Sequence, residues 1–232
     1  PRAKLRRMIR ILEPEVMDTA RDAEEYDAMD FSEADTRFAE DALALIKGRP
    51  AAEILDIGTG TAKIPVLMLD RRKDLAVMAV DLSAEMLRVA TRNVARAGHG
   101  SAVRLARHDA KALRLSEKRY DLVMSNSVTH HIPDPLTHFQ EVARVVKPDG
   151  AVLLRDLLRP PSMDEAWSIV KRVAAGEHIR QQQLFFDSLC AALTLAEVEE
   201  LVRKAGLGRM RVAQVSDRHW SAERSVARPR SG

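Results

Sequence analysis

Residues 52–65, Ala-Glu-Ile-Leu-Asp-Ile-Gly-Thr-Gly-Thr-Ala-Lys-Ile-Pro, constrain the fold more than any other stretch of this chain. Ile54, Leu55 and Ile57 are apolar and partly β-branched, the mark of a buried parallel strand. The run stops at Gly58 and Gly60, which let the backbone turn sharply and approach a ligand with no Cβ in the way. The next segment, Ile64–Asp70, reads as a helix whose N-terminal N–H groups face that turn. Pro65 fits its first turn, where the missing donor costs nothing. A second apolar run, Leu75–Val80, ends in Asp81, 21 residues after Gly60. One loop, one helix and one strand fill that interval, so the segment is a nucleoside-binding βαβ unit.

Its details favour S-adenosylmethionine over a dinucleotide. The dinucleotide fingerprint needs a third glycine where this chain has Lys63. Asp56, two residues before Gly58, would repel a pyrophosphate and attract an ammonium group. S-adenosylmethionine carries an α-ammonium and no phosphate. Asp81, at the end of the second strand, is placed to accept from both ribose hydroxyls.

Leu55-Asp56-Ile57-Gly58-Thr59-Gly60-Thr61 resembles motif I of the class I S-adenosylmethionine-dependent methyltransferases. Residues 79–87 resemble motif II, and Arg107-His108-Asp109-Ala110 the adenine-contacting motif after strand three. Residues 120–127 resemble motif IV, and 146–151 the turn before strand five. The five stretches follow the family's order over residues 53–155, under half of the chain. Ala62 departs from the pattern, since many members carry a third glycine there. The resemblance implies a Rossmann-like, doubly wound α/β sheet of seven strands, mostly parallel with an antiparallel last strand. A helical N-terminal cap and a helical insert before the last strands complete it. We expect one methyltransferase domain over residues 1–232: a cap (1–48), a cofactor-binding core (49–156), a helical insert (157–193) and a C-terminal helix and hairpin (194–232).

The pattern along the chain agrees. Strands are expected at Glu53–Ile57, Ala76–Val80, Ala102–Arg107, Tyr120–Ser125 and Ala151–Arg155. Helices are expected at Ile64–Asp70, Ala84–Ala97 (capped by Ser83 and Gly98) and Pro135–Val146, with a short turn near Ala110–Leu113. Such alternation gives a parallel sheet with helices on both faces. Met163–Ala175 and Gln181–Ala192 read as inserted helices, and Leu195–Ala205 as an amphipathic helix with Thr194 as N-cap and Gly206 after its end. Met210–Val215 and Trp220–Val226 read as the terminal hairpin. Residues 1–48 read as helical, split at Pro14 and at the acidic stretch Asp22–Asp30, with Gly48 closing the last helix.

Composition narrows the class. A hydrophobic content of 46% supplies a full core, and the net charge is only +3. Basic residues gather at both ends: Arg2, Lys4, Arg6, Arg7 and Arg10, then Arg218, Arg224, Arg228 and Arg230. They read first as solvated ends and second as attraction to an acidic substrate or RNA. The single cysteine, Cys190, excludes an intramolecular disulfide. With no membrane-length apolar run and no signal-peptide core, a cytoplasmic location is expected.

By the resemblance, Asp56, Gly58, Thr59 and Gly60 hold the methionine end of the cofactor, and Tyr26 reaches it from the cap. Leu82 and Met86 pack on the adenine; Asp109 accepts from its amino group while the Ala110 N–H donates to a ring nitrogen. Asn126 bridges cofactor and acceptor. Residues 125–128 lack the Asn/Asp-Pro-Pro-aromatic motif of adenine and glutamine N-methyltransferases. Cys190 has no neighbouring proline, which disfavours a cytosine-C5 nucleophile. His130-His131-Ile132-Pro133-Asp134 reads first as site wall. Where the acceptor needs a base, His130 or His131 is the catalytic candidate. No metal set is assigned, because adjacent histidines seldom converge on one ion without further ligands. Arg155 and Asp156 are expected to face the acceptor side. Glutamines 181–183 read as a polar helix face before an acceptor contact. The expected function is methyl transfer to a small molecule. Alternatives are an RNA or protein methyltransferase recruited through the basic ends, and a cofactor-binding non-catalytic module. The oligomeric state is open.

Overall fold

The computed structural model describes residues 8–13 and 19–226. The expected strands form: β1 (Glu53–Ile57), β2 (Ala76–Asp81), β3 (Val103–Arg107), β4 (Tyr120–Asn126) and β5 (Val146–Leu157). The hairpin adds β6 (Arg211–Gln214) and β7 (His219–Arg224). The helices are α1 (Ala20–Ala28), α2 (Ser32–Leu45), α3 (Lys63–Arg71), α4 (Ala84–Arg96), α5 (Pro135–Val145), α6 (Met163–Val173), α7 (Ile179–Ala191) and α8 (Leu195–Lys204). The strands form one seven-stranded sheet in the order β3-β2-β1-β4-β5-β7-β6. β1 to β5 pair in parallel, and β7 runs antiparallel to both its neighbours. This is the expected Rossmann-like doubly wound sheet.

The two-residue strand period explains why the apolar runs are continuous. Ile54, Leu122, Met124 and Leu153 pack on one face against Phe38, Ile46, Met68 and Leu69 of the α2–α3 layer. Their neighbours Leu55, Ile57, Val123, Val152 and Leu154 pack on the other face against Phe139, Val142, Val198 and Trp220. Each such fully buried aliphatic side chain contributes about 1.5–3 kcal/mol. The caps form as expected. Ser83 Oγ accepts from the Met86 N–H at 3.2 Å, and Thr194 makes a capping box with Glu197. Strand order reverses between β1 and β4, so the loops leaving their carboxyl ends diverge and open a cleft.

Four local expectations need correction. The acidic stretch Asp22–Asp30 splits the segment only at its end: residues 22–28 belong to α1, capped by Thr19, and the break falls at residues 29–31. β5 starts at Val146 rather than Ala151, because residues 146–150 stay extended and pair irregularly with Tyr120. Arg155 does not face the cleft; its guanidinium bonds Asp41 at 2.7 Å and covers the Phe38 ring on α2. The helix over residues 43–47 ends at Leu45, and Gly48 (φ 90°) lies in the turn beyond it. The break at Pro14 and the basic residues Arg2, Lys4, Arg6, Arg7, Arg228 and Arg230 lie outside the described residues. Among the described residues no helix is long and apolar enough to cross a membrane.

Candidate active site

The glycine loop is held by its own backbone. The N–H groups of Gly58 and Thr59 both donate to Val80 O, at 2.8 and 2.9 Å, and that of Ala62 donates to Thr59 O at 2.9 Å. The Gly60 N–H donates to Asp81 Oδ2 at 2.8 Å, while Asp81 Oδ1 accepts from the Ser83 N–H at 2.9 Å. Two glycines of the loop have positive φ, and one of them also has no room for a side chain. Gly58 (φ 73°) passes under the β4 loop, where an added Cβ would lie 2.1 Å from Val128 Cγ2; Gly60 (φ 55°) lies beneath the Tyr26 ring. Ala62, at the departure from the family pattern, sits at φ 61° as N-cap of α3. It tolerates the left-handed conformation at a cost of about 1–2 kcal/mol.

α1 closes over this loop. Lys63 Nζ donates to Asp27 O and Met29 O at 2.6 and 3.2 Å, so the side chain in the third-glycine position ties the end of α1 to the start of α3. Asn93 bridges Asp27 Oδ1 and Thr61 O, and Arg88 and Arg92 clamp Glu24. The remaining cleft, about 130 Å³, is lined by Tyr26, Gly58, Gly60, Asp81, Leu82, Met86, Asp109, Ala110, Asn126 and His131, with six neighbours. Small-molecule pockets run to roughly 300–1,000 Å³, so the cleft is narrow with α1 closed over the glycine loop. A wider hollow on α6, lined by Asp164, Trp167, Ser168 and Lys171, is open and has no converging site groups.

The acids under the lid are strongly perturbed. Burial pushes the Asp56 carboxyl up to about 7, with Asp81 and Asp35 nearby adding to the shift. Burial also raises Asp81, partly offset by the Ser83 and Gly60 N–H groups, and lifts Asp35 to about 6. Burial and the same three acids raise Tyr26, which stays a neutral phenol. Taking negative charge out of water without a cation is costly. The cluster favours a cationic ligand.

The 3₁₀ turn Thr129–His131 places the two histidines at the end of β4. His130 is buried, and its Nδ1 lies 2.5 Å from Asp156 Oδ1; its backbone N–H donates to Asp156 Oδ2. Burial lowers the His130 pKa, but the Asp156 and Glu13 carboxylates outweigh that, and the net shift is upward. Glu13, on the strap of residues 8–13, places Oε1 3.1 Å from His131 Nδ1 and 3.4 Å from His130 Nε2. Arg10 fastens the strap, donating to the carbonyls of Ala191, Pro133, His130 and Ile132.

Nine of the eleven predicted cofactor residues thus meet in one cleft. Asp56 and Thr59 do not reach its wall: Asp56 is buried beneath the loop, and the Thr59 N–H is committed to Val80. Of the histidine pair only His131 lines the cleft. Gln182 and Gln183 bond within their own helix region, to Glu177 O and Asp187, as a polar face does. Cys190 is buried, and its carbonyl anchors the Ile11 N–H. Sequence reasoning missed Glu13, since an isolated acid in a charged N-terminal segment carries no signal. It also missed the tie between Asp156 and His130, which no spacing announces.

Residues 55–154 match the family model described as a methyltransferase domain. A malonyl-[acyl-carrier protein] O-methyltransferase of Marinomonas sp. (strain MWYL1) is 30% identical over 161 residues, 68% of this chain and 57% of that protein. A trans-aconitate 2-methyltransferase of Rhodopseudomonas palustris (strain BisB18) is 30% identical over 163 residues, 70% of this chain and 59% of that protein. The chain thus spans under two thirds of the length of these relatives. The solved structure of an S-adenosylmethionine-dependent methyltransferase from Aquifex aeolicus superposes with a TM-score of 0.64 at 18% identity. The match covers 90% of this chain and 99% of that one. It establishes the fold.

Proposed function

We propose that the chain is an S-adenosylmethionine-dependent methyltransferase acting on a small-molecule acceptor. One observation carries the cofactor choice: the N–H groups of Gly58, Thr59, Gly60 and Ala62 are all bonded within the protein, to Val80 O, Asp81 Oδ2 and Thr59 O. These four donors are therefore taken and are not available to cradle a pyrophosphate. The Asp81 carboxylate stands at the cleft wall beside the loop, with Asp56 buried beneath, which suits a ligand with ribose hydroxyls and an ammonium group. The methyltransferase-domain match and the printed activities of the two relatives support the same reading.

Bound there, S-adenosylmethionine would supply a methyl group already activated on a sulfonium. The protein's task is to position and to exclude water. Asp81 is assigned the ribose hydroxyls, Leu82 and Met86 the adenine faces, and Asp109 and Ala110 the adenine edge. Gly58, Thr59 and Gly60 shape the methionine end. Asp56 serves its ammonium from beneath the loop, through water or after the loop relaxes. Tyr26 covers that end, and Asn126 stands between it and the acceptor. His131 lines the acceptor side and is the base candidate for a protonated acceptor; His130, pinned by Asp156, is its positioning neighbour. The buried, lidded cleft suits a small acceptor better than a polymer groove.

Calorimetric titration with S-adenosylhomocysteine, with NAD as control, tests the reading. We expect micromolar binding of the first and none of the second. Equal binding of both, or of NAD alone, would refute it.

A further inference from the structure

We infer that Glu13, His130 and His131 form a binding site for one divalent transition-metal ion of the zinc class. One ligand atom from each of the three lies within 4.8 Å of the other two. Glu13 Oε1 is 3.1 Å from His131 Nδ1 and 3.4 Å from His130 Nε2. Tetrahedral coordination with bonds of about 2.0–2.2 Å puts neighbouring ligand atoms roughly 3.3–3.6 Å apart. Two imidazole nitrogens and one carboxylate oxygen are a common three-ligand set for zinc with one position left open.

Hydrogen bonding points the same way. Glu13 Oε1 and His131 Nδ1 are buried and close, yet among the described residues neither makes a hydrogen bond of acceptable geometry. Two polar atoms at contact distance that do not aim at each other are arranged as two ligands aimed at a third point. Left without an ion, each would bear the cost of a buried unsatisfied group.

The outer partners fit as well. His130 presents Nε2 to Glu13 while its Nδ1 is held by Asp156 at 2.5 Å, the carboxylate–histidine arrangement that fixes a metal-bound imidazole. Ser188 Oγ donates to Glu13 Oε2 at 3.0 Å, leaving Oε1 for the ion. Around His130 the Asp156 and Glu13 carboxylates act in one direction and the Arg10 guanidinium in the other. The missing piece at the level of sequence was the third ligand, and folding brings it from the N-terminal strap. The ion would staple that strap to the end of β4. Because His131 also lines the cleft, the ion would sit at its acceptor wall. On the methyl-transfer reading, an acceptor oxygen would take the open position, and His131, held as a ligand, would no longer serve as the base.

The test uses the whole chain, stripped with a chelator and freed of it. Zn²⁺ alone is titrated calorimetrically, and Co²⁺ alone is followed by its visible absorption. We expect one ion per chain at micromolar affinity or tighter, with the intense visible bands of four-coordinate Co²⁺. Zn²⁺ should also raise the melting temperature. Glu13→Gln, which keeps the side-chain shape, and His131→Ala should each lower Zn²⁺ affinity at least tenfold. Asp156→Asn should lower it about 10–100-fold without removing a ligand. No binding at 100 µM Zn²⁺, or affinity unchanged in both Glu13→Gln and His131→Ala, overturns the site. S-adenosylhomocysteine titration of the same stripped protein reports on the methyl-transfer reading separately, so either can fail alone.

Discussion

The contact between Gly58 and Val128 joins the two loops that define the cleft, and it predicts a large compensating pair. In Gly58→Ala the new Cβ would lie 2.1 Å from Val128 Cγ2 and 3.3 Å from Cγ1 and Cβ. Carbon atoms rest at about 3.5–4.0 Å, so the overlap with Cγ2 is near 1.5 Å. Neither side moves freely. The Gly58 N–H is bonded to Val80 O, and Val128 opens the turn that carries the histidines. Alanine at φ 73° adds its own strain of about 1–2 kcal/mol. With about 1–3 kcal/mol for overpacking, Gly58→Ala should cost about 2–5 kcal/mol. Val128→Ala, at a half-buried position, should cost about 1 kcal/mol. The double variant removes both γ carbons and with them the clash, leaving mainly the backbone strain. It should therefore be more stable than the sum of the single effects by about 1–3 kcal/mol. Urea unfolding at constant m-value reads all four proteins. Additivity within about 0.5 kcal/mol would refute the close approach of the two loops. The double variant should also regain part of the S-adenosylhomocysteine binding lost in Gly58→Ala.

Other outcomes follow from the same geometry. Asp56, lifted to about 7, must ionise to meet an ammonium group. The ligand lowers its pKa, so binding below that value releases a proton and weakens as the pH falls. S-adenosylhomocysteine affinity should drop roughly tenfold from pH 8 to pH 6, and Asp56→Asn should flatten the profile; a flat wild-type profile removes Asp56 from the ligand's partners. Asp81→Ala should weaken the same binding by about 1.5–3 kcal/mol, the scale of hydrogen bonds to a charged group, and unchanged affinity would take Asp81 out of the site. Arg10→Ala leaves the carbonyls of Ala191, His130 and Ile132 without their donor. It should cost about 2 kcal/mol in urea unfolding and expose the strap to proteolysis near residue 10. Wild-type stability and protease resistance would mean that the strap is held by other contacts.

The sheet, the glycine loop and most of the cleft wall were legible in the order of the residues. Strands β1 and β2 were legible because a parallel strand buried on both faces is apolar at most positions, and the turn after it must end the run. Ser83 and Thr194 were legible as caps because a cap bonds a backbone N–H three residues away. Asp81 stood out because strand, loop and helix fix its distance from Gly60. Which distant side chains meet was settled by folding alone. Arg155 turns to Asp41 rather than to the cleft, and Tyr26 lies over Gly60. Asp156 fixes His130, and Glu13 arrives beside both histidines. The physical reason is range. Backbone conformation and capping are settled by neighbours within a few residues and leave a periodic or local trace. Pairings between the N-terminal strap, the end of β4 and β5 are settled by how whole layers pack, and packing leaves no mark on the spacing of the residues it brings together.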